Sequence, residues 1–205
     1  MILGAREALG LLAAYLLGSL SFAVILVRVF RGKDVREEGS GNAGATNVLR
    51  TSGKALAIST LLLDALKGTA AVLLMRVLSP DPRWEGIAAV FALLGHVFPL
   101  YFGFRGGKGV ATAVGAFIVL APLAIVALFG VFALVVFVTR YVSLGSITTA
   151  CLLPLAVGLL ERKDPPTIVA SAAATAILLV THRSNIRRLV AGTERKVGKK
   201  TEEGE

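Results

Sequence analysis

The sequence is poor in charge, in cysteine and in histidine. Only 17% of its 205 residues are charged and 55% are hydrophobic, whereas roughly a quarter of the residues in a soluble domain are charged. Cys151 is the only cysteine, so the chain forms no intrachain disulfide, and we expect this side chain to serve in packing. Together with a mean hydropathy of +0.76, the composition indicates an integral membrane protein with almost no soluble domain.

The hydrophobic residues fall into blocks of the length that crosses a hydrocarbon core ~30 Å thick. These blocks span residues 8–30, 55–78, 86–104, 110–139, 145–160 and 167–181. The polar breaks between them are short, and the sequence contains neither an internal repeat nor a low-complexity linker. We therefore predict an all-α fold, a polytopic membrane helical bundle that forms a single domain over residues 1–205.

The distribution of Lys and Arg predicts the orientation of the chain. Basic residues crowd the first polar break and the tail at 183–205, and the positive-inside rule places both in the cytoplasm. An even number of crossings must then separate them, although only five blocks do. As one helix, block 110–139 would reach ~45 Å at about 1.5 Å per residue, and Pro122 interrupts it.

We expect two helices in this block, one on each side of Pro122. This gives seven transmembrane helices, some of them short, with the N-terminus outside and the C-terminus cytoplasmic. The alternative is that one of the two halves is re-entrant, because each half is short for a full crossing.

Four polar segments share the cytoplasmic face under this topology, namely 31–54, 104–109, 139–146 and 182–200. Three of them combine fixed cations with glycines, hydroxyls or amides. Glycines let backbone N–H groups turn toward an anion, and concave arrangements of such groups bind phosphate. One glycine-rich turn is as often a plain turn, and a cytoplasmic Arg often reflects topology alone. Three such clusters on one face favour an anion-binding site.

Two other classes of function fit the sequence poorly. A nucleotide-binding P-loop requires G-x-x-x-x-G-K-[ST] after a strand. Around Lys108, however, Phe102 occupies the position of the first glycine and Gly109 follows the lysine. A transporter would gather its polar groups near the bilayer midplane and often repeats its halves, whereas here the polar groups lie on one face without a repeat.

Three long stretches resemble the signature motifs of a known family. They are SGNAGATNVLR at 40–50, GHVFPLYFGFRGGKGVAT at 95–112 and HRSNIRRL at 182–189. The shorter stretches DALKG at 64–68, RYVSLGSI at 140–147 and GTERK at 192–196 match the same pattern in order and spacing. On these motifs the chain is similar, over essentially its whole length, to the bacterial acyl-phosphate:glycerol-3-phosphate acyltransferases, the PlsY family.

The resemblance implies an enzyme of lipid metabolism in the bacterial cytoplasmic (inner) membrane, with its active site at the cytoplasmic face. Such an enzyme moves a long-chain acyl group from acyl phosphate to the 1-hydroxyl of sn-glycerol 3-phosphate. The products are lysophosphatidic acid and inorganic phosphate, in phospholipid biosynthesis. The expected partners are these two substrates and membrane lipid. We expect no cofactor, metal or nucleic acid, and a monomer.

The motif residues supply the groups that this chemistry needs. We expect Arg50 and Lys108 to hold phosphate, although which phosphate Lys108 holds is left open. Ser40 is expected to donate hydrogen bonds within the glycine-rich turn, and Asn185 to stabilise the developing oxyanion. Together with His182 these are the predicted catalytic residues. The predicted substrate- and phosphate-binding residues are Gly41, Asn42, Gly44, Thr46, Asn47, Lys54, Gly106, Gly107, Gly109, Thr112, Ser143, Ser146, Arg183 and Arg187.

The identity of the general base has two solutions. The motif cores contain no Asp, Glu or Cys, which excludes an acyl-enzyme on cysteine and disfavours a carboxylate base. An acyl-CoA acyltransferase with a His/Asp dyad would need an Asp five positions after a His, and neither His96 nor His182 has one. The substrate phosphate can take the proton itself, so we assign His182 first to positioning and second to catalysis as a base.

Acidic residues outside the motif cores have simpler interpretations. Asp64 and Lys67 lie one helical turn apart inside an apolar block, and we expect a buried ion pair. Glu37 and Glu38 are expected to be solvated loop charges. Glu194 is expected to tie the tail to the motifs.

Overall fold

The computed structural model describes residues 3–161 and 165–197, and within these ranges it contains helices and no strand. The α-helices are α1 Ala5–Gly18, α2 Phe22–Arg31, α3 Ala45–Thr51, α4 Lys54–Leu78, α5 Arg83–Val97, α6 Val110–Leu120, α7 Pro122–Thr139, α8 Val142–Leu160, α9 Pro165–Thr181 and α10 Arg183–Val190. Short 3₁₀ turns lie at Val35–Glu37 and Leu100–Phe102. The last part of the predicted basic tail, 198–205, and residues 1–2 and 162–164 lie outside the described residues.

The helix boundaries confirm the prediction for block 110–139. α6 ends at Leu120 and α7 begins at Pro122, which stands in the first turn of a helix, where its missing N–H has no helical partner to lose. A residue at the end of α8 caps the free backbone N–H groups in the first turn of α7. Glu161 Oε1 accepts a hydrogen bond of 2.6 Å from the N–H of Leu123.

The first apolar block is divided, which the sequence pattern did not predict. α1 ends at Gly18 and α2 begins at Phe22, although the two helices together form one candidate membrane span of 27 residues. The chain breaks at a pair of serines, and Ser19 donates its hydroxyl to Tyr15 O at 2.9 Å. Hydroxyls that bond to the backbone in this way compete with helical hydrogen bonds.

Four segments of the described chain are long and apolar enough to cross a membrane. These are Ala5–Arg31, Arg83–Phe102, Pro122–Thr139 and Val142–Leu160, and a fifth results if α9 and α10, which meet at 60°, count as one span. α6 is shorter, and α4 is 25 residues long but carries the Asp64–Lys67 pair. The seven crossings and the orientation of the termini therefore stay predictions.

α4 is the central helix of the bundle and packs most extensively against α6 and α1. Small residues permit this close approach. A Cβ atom on Gly68 would collide with Thr112 O, and one on Gly115 would collide with Ala65 O. Without a hydrophobic driving force between helices in lipid, such backbone proximity is a main source of packing energy.

The expected ion pair inside the bundle is confirmed. Lys67 Nζ lies 2.8 Å from Asp64 Oδ1, and both side chains are almost fully buried. Lys67 Nζ also donates a hydrogen bond of 2.6 Å to Leu20 O, a carbonyl in the break between α1 and α2. The lysine thus satisfies a backbone group that the broken helix leaves without a helical partner.

Candidate functional site

The three predicted motif clusters meet around one cavity of about 1000 Å³. It lies at the end of the bundle where α4, α6 and α8 begin and where α9 ends. The predicted residues that line it are Ser40, Asn42, Gly44, Thr46, Asn47, Arg50, Lys54, Lys108, Gly109, Ser143, Ser146, His182 and Asn185. Segments more than a hundred positions apart in the sequence therefore build a single site.

The polar part of the cavity has an excess of positive charge. Its cationic side chains are Arg50, Lys54, Lys108, Arg188 and Arg195. Its carboxylates are Glu194 and Asp64, and the latter is already paired with Lys67. Partial burial and the neighbouring cations Arg195 and Arg188 lower the pKa of Arg50, which stays charged at neutral pH. Such a surplus of cations favours a polyanionic ligand.

Lys108 is held at its backbone and at its side chain. Its Nζ donates a hydrogen bond of 2.5 Å to Asn185 Oδ1, and its carbonyl accepts one of 3.0 Å from Thr181 Oγ1. Gly109 follows with a φ of +90°, and a Cβ atom there would collide with Leu93. Only glycine allows the chain to turn here without strain. Burial lowers the pKa of Lys108 to about 8, and Glu194 partly opposes the shift.

Glu194 joins the tail to two other segments, as the sequence indicated. It accepts hydrogen bonds from Ser143 Oγ at 2.7 Å, Asn185 Nδ2 at 2.6 Å and Arg188 Nε at 2.7 Å. Burial alone would raise the pKa of this carboxyl, but the three donated hydrogen bonds outweigh it and the pKa lies below its ordinary value. Glu194 is therefore an ionised acceptor at neutral pH.

Asn47 shapes the first motif rather than offering its amide to a ligand. Its Oδ1 accepts a hydrogen bond of 2.8 Å from the N–H of Ser40, and its Nδ2 donates to Val35 O and Glu38 O. The side chain is only 1% exposed. These contacts use most of its hydrogen-bonding capacity and leave little of the amide for a ligand. Asn47 does line the cavity, and its expected role in substrate binding stays a prediction.

His182 follows the last residue of α9 and is buried on the cavity wall. Its Nδ1 lies 2.8 Å from Leu178 O, and because a carbonyl only accepts, Nδ1 must carry the proton. Burial and the charge of Lys108 lower the pKa of His182 to about 4. The imidazole is therefore neutral at pH 7, with Nε2 as its acceptor.

Ser143 and Ser146 line the cavity, but their hydroxyl protons are already donated. Ser143 donates to Glu194, and Ser146 donates a hydrogen bond of 3.0 Å to Val142 O of its own helix. Neither hydroxyl has a proton left to donate to a phosphate oxygen, which argues against their predicted role in phosphate binding.

Other predicted ligands lie outside the cavity wall. Thr112 is buried with its Oγ1 3.2 Å from His96 Nδ1. Gly106 and Gly107 pack against the backbone and ring of His96. Arg183 and Arg187 are exposed, and the residues that do not line the cavity are Gly41, Gly106, Gly107, Thr112, Arg183 and Arg187.

Sequence reasoning missed two cations of the cavity, Arg188 and Arg195. A signal for Arg188 was present, because His182, Asn185 and Arg188 recur every three positions. Residues with this spacing share one helix face, whereas Arg187 points elsewhere. Arg195 lies within the GTERK stretch at 192–196, which matched the family pattern, but nothing in that stretch indicated that it faces the cavity.

The rest of the cavity wall is apolar and comes from membrane helices. Ile58, Leu61 and Leu62 of α4 contribute to it, as do Phe129 and Phe132 of α7. Leu62 is 62% exposed and Phe129 is 69% exposed, so the cavity also opens sideways, toward the lipid-facing surface. One cavity thus combines a cationic region with an apolar wall.

The described residues contain no group of three or more His, Cys, Asp or Glu side chains arranged to hold a metal ion. The glutamates of the first break differ from each other. Glu37 is exposed as expected, whereas Glu38 accepts a hydrogen bond of 2.8 Å from Lys33 Nζ.

Comparison with known proteins gives one consistent family. A family model described as glycerol-3-phosphate acyltransferase matches residues 8–192. A glycerol-3-phosphate acyltransferase of Syntrophotalea carbinolica is 45% identical over 185 residues, covering 90% of this chain and 94% of the relative. One from Mesorhizobium japonicum is 47% identical over 193 residues, covering 94% and 96%.

Two solved structures have the same fold. One is the crystal structure of PlsY, an integral membrane glycerol 3-phosphate acyltransferase, in its glycerol 3-phosphate form. Its TM-score is 0.88 at 35% identity, with 94% of this chain and 96% of that chain covered. The lysophosphatidic acid form of PlsY matches with a TM-score of 0.86 at 33% identity, covering 94% and 95%.

Proposed function

This chain belongs to the glycerol-3-phosphate acyltransferase family, and we propose that it moves a fatty acyl group from acyl phosphate to the 1-hydroxyl of sn-glycerol 3-phosphate. The products are lysophosphatidic acid and inorganic phosphate. The observation that carries the proposal is the cavity in which Arg50, Lys108 and Arg188 adjoin an apolar wall open to lipid.

The charge of the cavity matches two phosphate-bearing substrates. A phosphate monoester carries about −1.5 to −2 charges near pH 7. Two such groups repel each other unless several cations lie between them. Arg50 and Lys108 bind phosphate oxygens in our proposal, with Lys54, Arg188 and Arg195 adding to the positive potential.

The apolar wall suits the acyl chain of the donor. The side chains of Leu61, Leu62 and Phe129 provide a surface that a fatty chain can cover while its phosphate stays in the cationic region. The sideways opening gives a lipid-soluble donor and product a route to the bilayer. A donor bound through a large soluble carrier makes no use of this opening.

The reaction proceeds without an acyl-enzyme in this proposal. The 1-hydroxyl oxygen attacks the acyl carbon, a new C–O ester bond forms, and the bond between the acyl carbon and the phosphate oxygen breaks. The leaving phosphate accepts the hydroxyl proton. His182, neutral through its low pKa of about 4, orients glycerol 3-phosphate through Nε2. Nε2 is also the second candidate for the base.

Asn185 has one group left for the oxyanion. Its Oδ1 accepts from Lys108 and one N–H donates to Glu194. The other amide N–H is the donor that we assign to the developing negative charge on the acyl oxygen. Its orientation is fixed by the two bonds already made, which is the preorganisation that such a donor needs.

We further propose that the enzyme acts as a monomer at the cytoplasmic face of the bacterial inner membrane, without metal or cofactor. The basic residues of the first break and of the tail support this orientation. Glycerol 3-phosphate is water-soluble and acyl phosphate is lipid-soluble, so the site must lie where the two phases meet.

The test uses purified protein in detergent or lipidic mesophase, with glycerol 3-phosphate and palmitoyl phosphate. We expect release of inorganic phosphate and formation of lysophosphatidic acid in equal amounts, unchanged by chelator. Palmitoyl-CoA at the same concentration should give no product. Activity with palmitoyl-CoA, or loss of activity with chelator that Mg²⁺ restores, would show that the donor or the metal-free mechanism is wrong. Arg187→Ala, an exposed arginine outside the cavity, is the control for Arg50→Ala.

A further inference from the structure

The glycine-rich loop before α6 is wound around His96. The carbonyl of His96 accepts a hydrogen bond of 3.2 Å from the N–H of Gly107, and the carbonyl of Val97 accepts one of 3.2 Å from Gly106. A Cβ atom on Gly107 would collide with His96 Nε2 and with Ala43 O. The ring therefore lies directly against the loop, at the place where the first motif also reaches it.

The other side of the same ring faces the start of α6. His96 Nδ1 lies 3.2 Å from Thr112 Oγ1, and Thr112 is in the first turn of that helix. Lys108 stands between Gly107 and α6. His96 thus contacts the chain both before and after the lysine.

The ring lies beside the buried ion pair of α4. Asp64 Oδ1 lies 3.7 Å from His96 Nδ1 and 2.8 Å from Lys67 Nζ. Lys67 in turn donates to Leu20 O in the break between α1 and α2. His96, Asp64 and Lys67 are all buried, so this arrangement cannot relax into solvent without disturbing three helices.

We propose that His96 is a positioning residue for Lys108, with the Asp64–Lys67 ion pair holding its ring in place. The role rests on the proposed acyl transfer, in which Lys108 binds phosphate. Lys108 reaches Asn185 only because the loop presents its side chain toward α10. His96 also reaches the cavity wall, but its polar contacts run to the loop and to Thr112. A displacement of about 1 Å in a positioned group can lower a rate by roughly 100-fold, so an anchor of this loop acts on the reaction through Lys108.

Three substitutions at His96 distinguish this role from simple packing. His96→Asn keeps a polar group close to the position of Nδ1, facing Thr112 and Asp64. His96→Gln places its amide near Nε2 instead, and His96→Leu removes both. Thr60→Val is the matched control, because Thr60 is fully buried one turn before Asp64 and its hydroxyl has no hydrogen-bond partner within the described chain.

Two measurements are made on each variant. The first is kcat and KM for each of the two substrates, glycerol 3-phosphate and palmitoyl phosphate. The second needs no activity: trace acetylation of Lys108 with acetic anhydride as a function of pH, followed by mass spectrometry, gives the pKa of its amine. In the wild type that pKa is expected to be about 8.

We expect His96→Leu to raise the KM for one or both phosphate-bearing substrates by roughly 10- to 100-fold, because a displaced Lys108 loses a charged hydrogen bond to phosphate. The pKa of Lys108 should also rise toward the ordinary value of 10.5, because a displaced side chain is more hydrated. His96→Asn should have nearly the wild-type KM and Lys108 pKa. The values for His96→Gln should lie between those of the Asn and Leu variants. Thr60→Val should change neither readout.

Unchanged KM values for both substrates and an unchanged Lys108 pKa in His96→Leu would overturn the proposal. If that variant does not fold, the other two decide, and equal behaviour of His96→Asn and His96→Gln overturns it. If the wild type transfers no acyl group, the proposed function is wrong, while the acetylation profile still decides whether His96 positions Lys108.

Discussion

Lys108 and Asn185, 77 positions apart in the sequence, share a hydrogen bond of 2.5 Å from Nζ to Oδ1. The amide of Asn185 continues the contact by donating to Glu194, which also accepts from Ser143 and Arg188. One chain of hydrogen bonds therefore connects the glycine-rich loop, α10, the tail and α8. All four segments therefore help to hold the cationic side chains of the site in position.

The lowered pKa of Lys108 predicts an alkaline limit to activity. Below about pH 8 the amine is charged and binds phosphate, and above it the charge is lost. In a profile of kcat/KM against pH, activity should fall above about pH 8. Lys108→Arg should remove this fall, because a guanidinium stays charged, yet its rate at pH 7 should remain below that of the wild type. A wild-type profile that is flat up to pH 10 would contradict the assignment.

Arg50→Ala should weaken binding of glycerol 3-phosphate. Loss of a hydrogen bond to a charged group costs about 1.5–3 kcal/mol, which corresponds to a KM raised by roughly 10- to 100-fold. If the charge also aligns the hydroxyl, activity should vanish altogether. Steady-state kinetics on Arg50→Ala and on the control Arg187→Ala check this. Equal effects of the two substitutions would mean that the cavity is not the binding site.

Asn185→Ala should lower kcat by roughly 10²–10³ with KM nearly unchanged, if its free N–H stabilises the oxyanion. The measurement is a full kinetic analysis with both substrates varied. The alternative is that Asn185 acts only through Lys108. In that case KM alone should rise, and Lys108→Ala combined with Asn185→Ala should be no worse than Lys108→Ala.

Glu194→Gln should destabilise the site by about 1.5–3 kcal/mol, because Arg188 loses its charged partner. The pKa of Glu194 is depressed, so its stabilising contribution is complete above the ordinary carboxyl value of 4.5 and is lost as the pH falls below it. Thermal unfolding at pH 7 should show a lower Tm for Glu194→Gln, and the difference should shrink at low pH. The exposed Glu37→Gln is the control, and an equal Tm for both variants would contradict the role of Glu194.

Topology can be tested by labelling cysteines introduced at exposed positions. Glu37, Arg105 and Ser184 are exposed; Glu37 lies just before the first motif, and the other two lie within the second and third. Ala43 is buried and unsuitable. The exposed Cys151 must first be replaced. All three cysteines should react with a membrane-impermeant maleimide only when the cytoplasmic side is accessible. Reaction of position 184 from the other side would overturn the seven-helix prediction.

The sequence alone determined most of the helices and the ion pair buried between them. In lipid every backbone group must be satisfied within the protein, so apolar blocks and the prolines that interrupt them indicate most helix boundaries, although not the break between α1 and α2. This is why the division at Pro122 was predictable. The i,i+3 spacing of Asp64 and Lys67 likewise fixed their pairing, because such neighbours meet on any helix.

Only the tertiary structure decided how the polar side chains are used. Ser143 donates a hydrogen bond to Glu194, 51 positions away. The amide oxygen of Asn47 accepts a hydrogen bond from the N–H of Ser40 and so stabilises the turn that carries it. Arg188 lines the cavity while its neighbour Arg187 does not. A hydrogen bond depends on where distant segments lie to within a fraction of an ångström. The residue types in a motif therefore indicated the ligand's charge, whereas packing of the helices selected which of those residues face it.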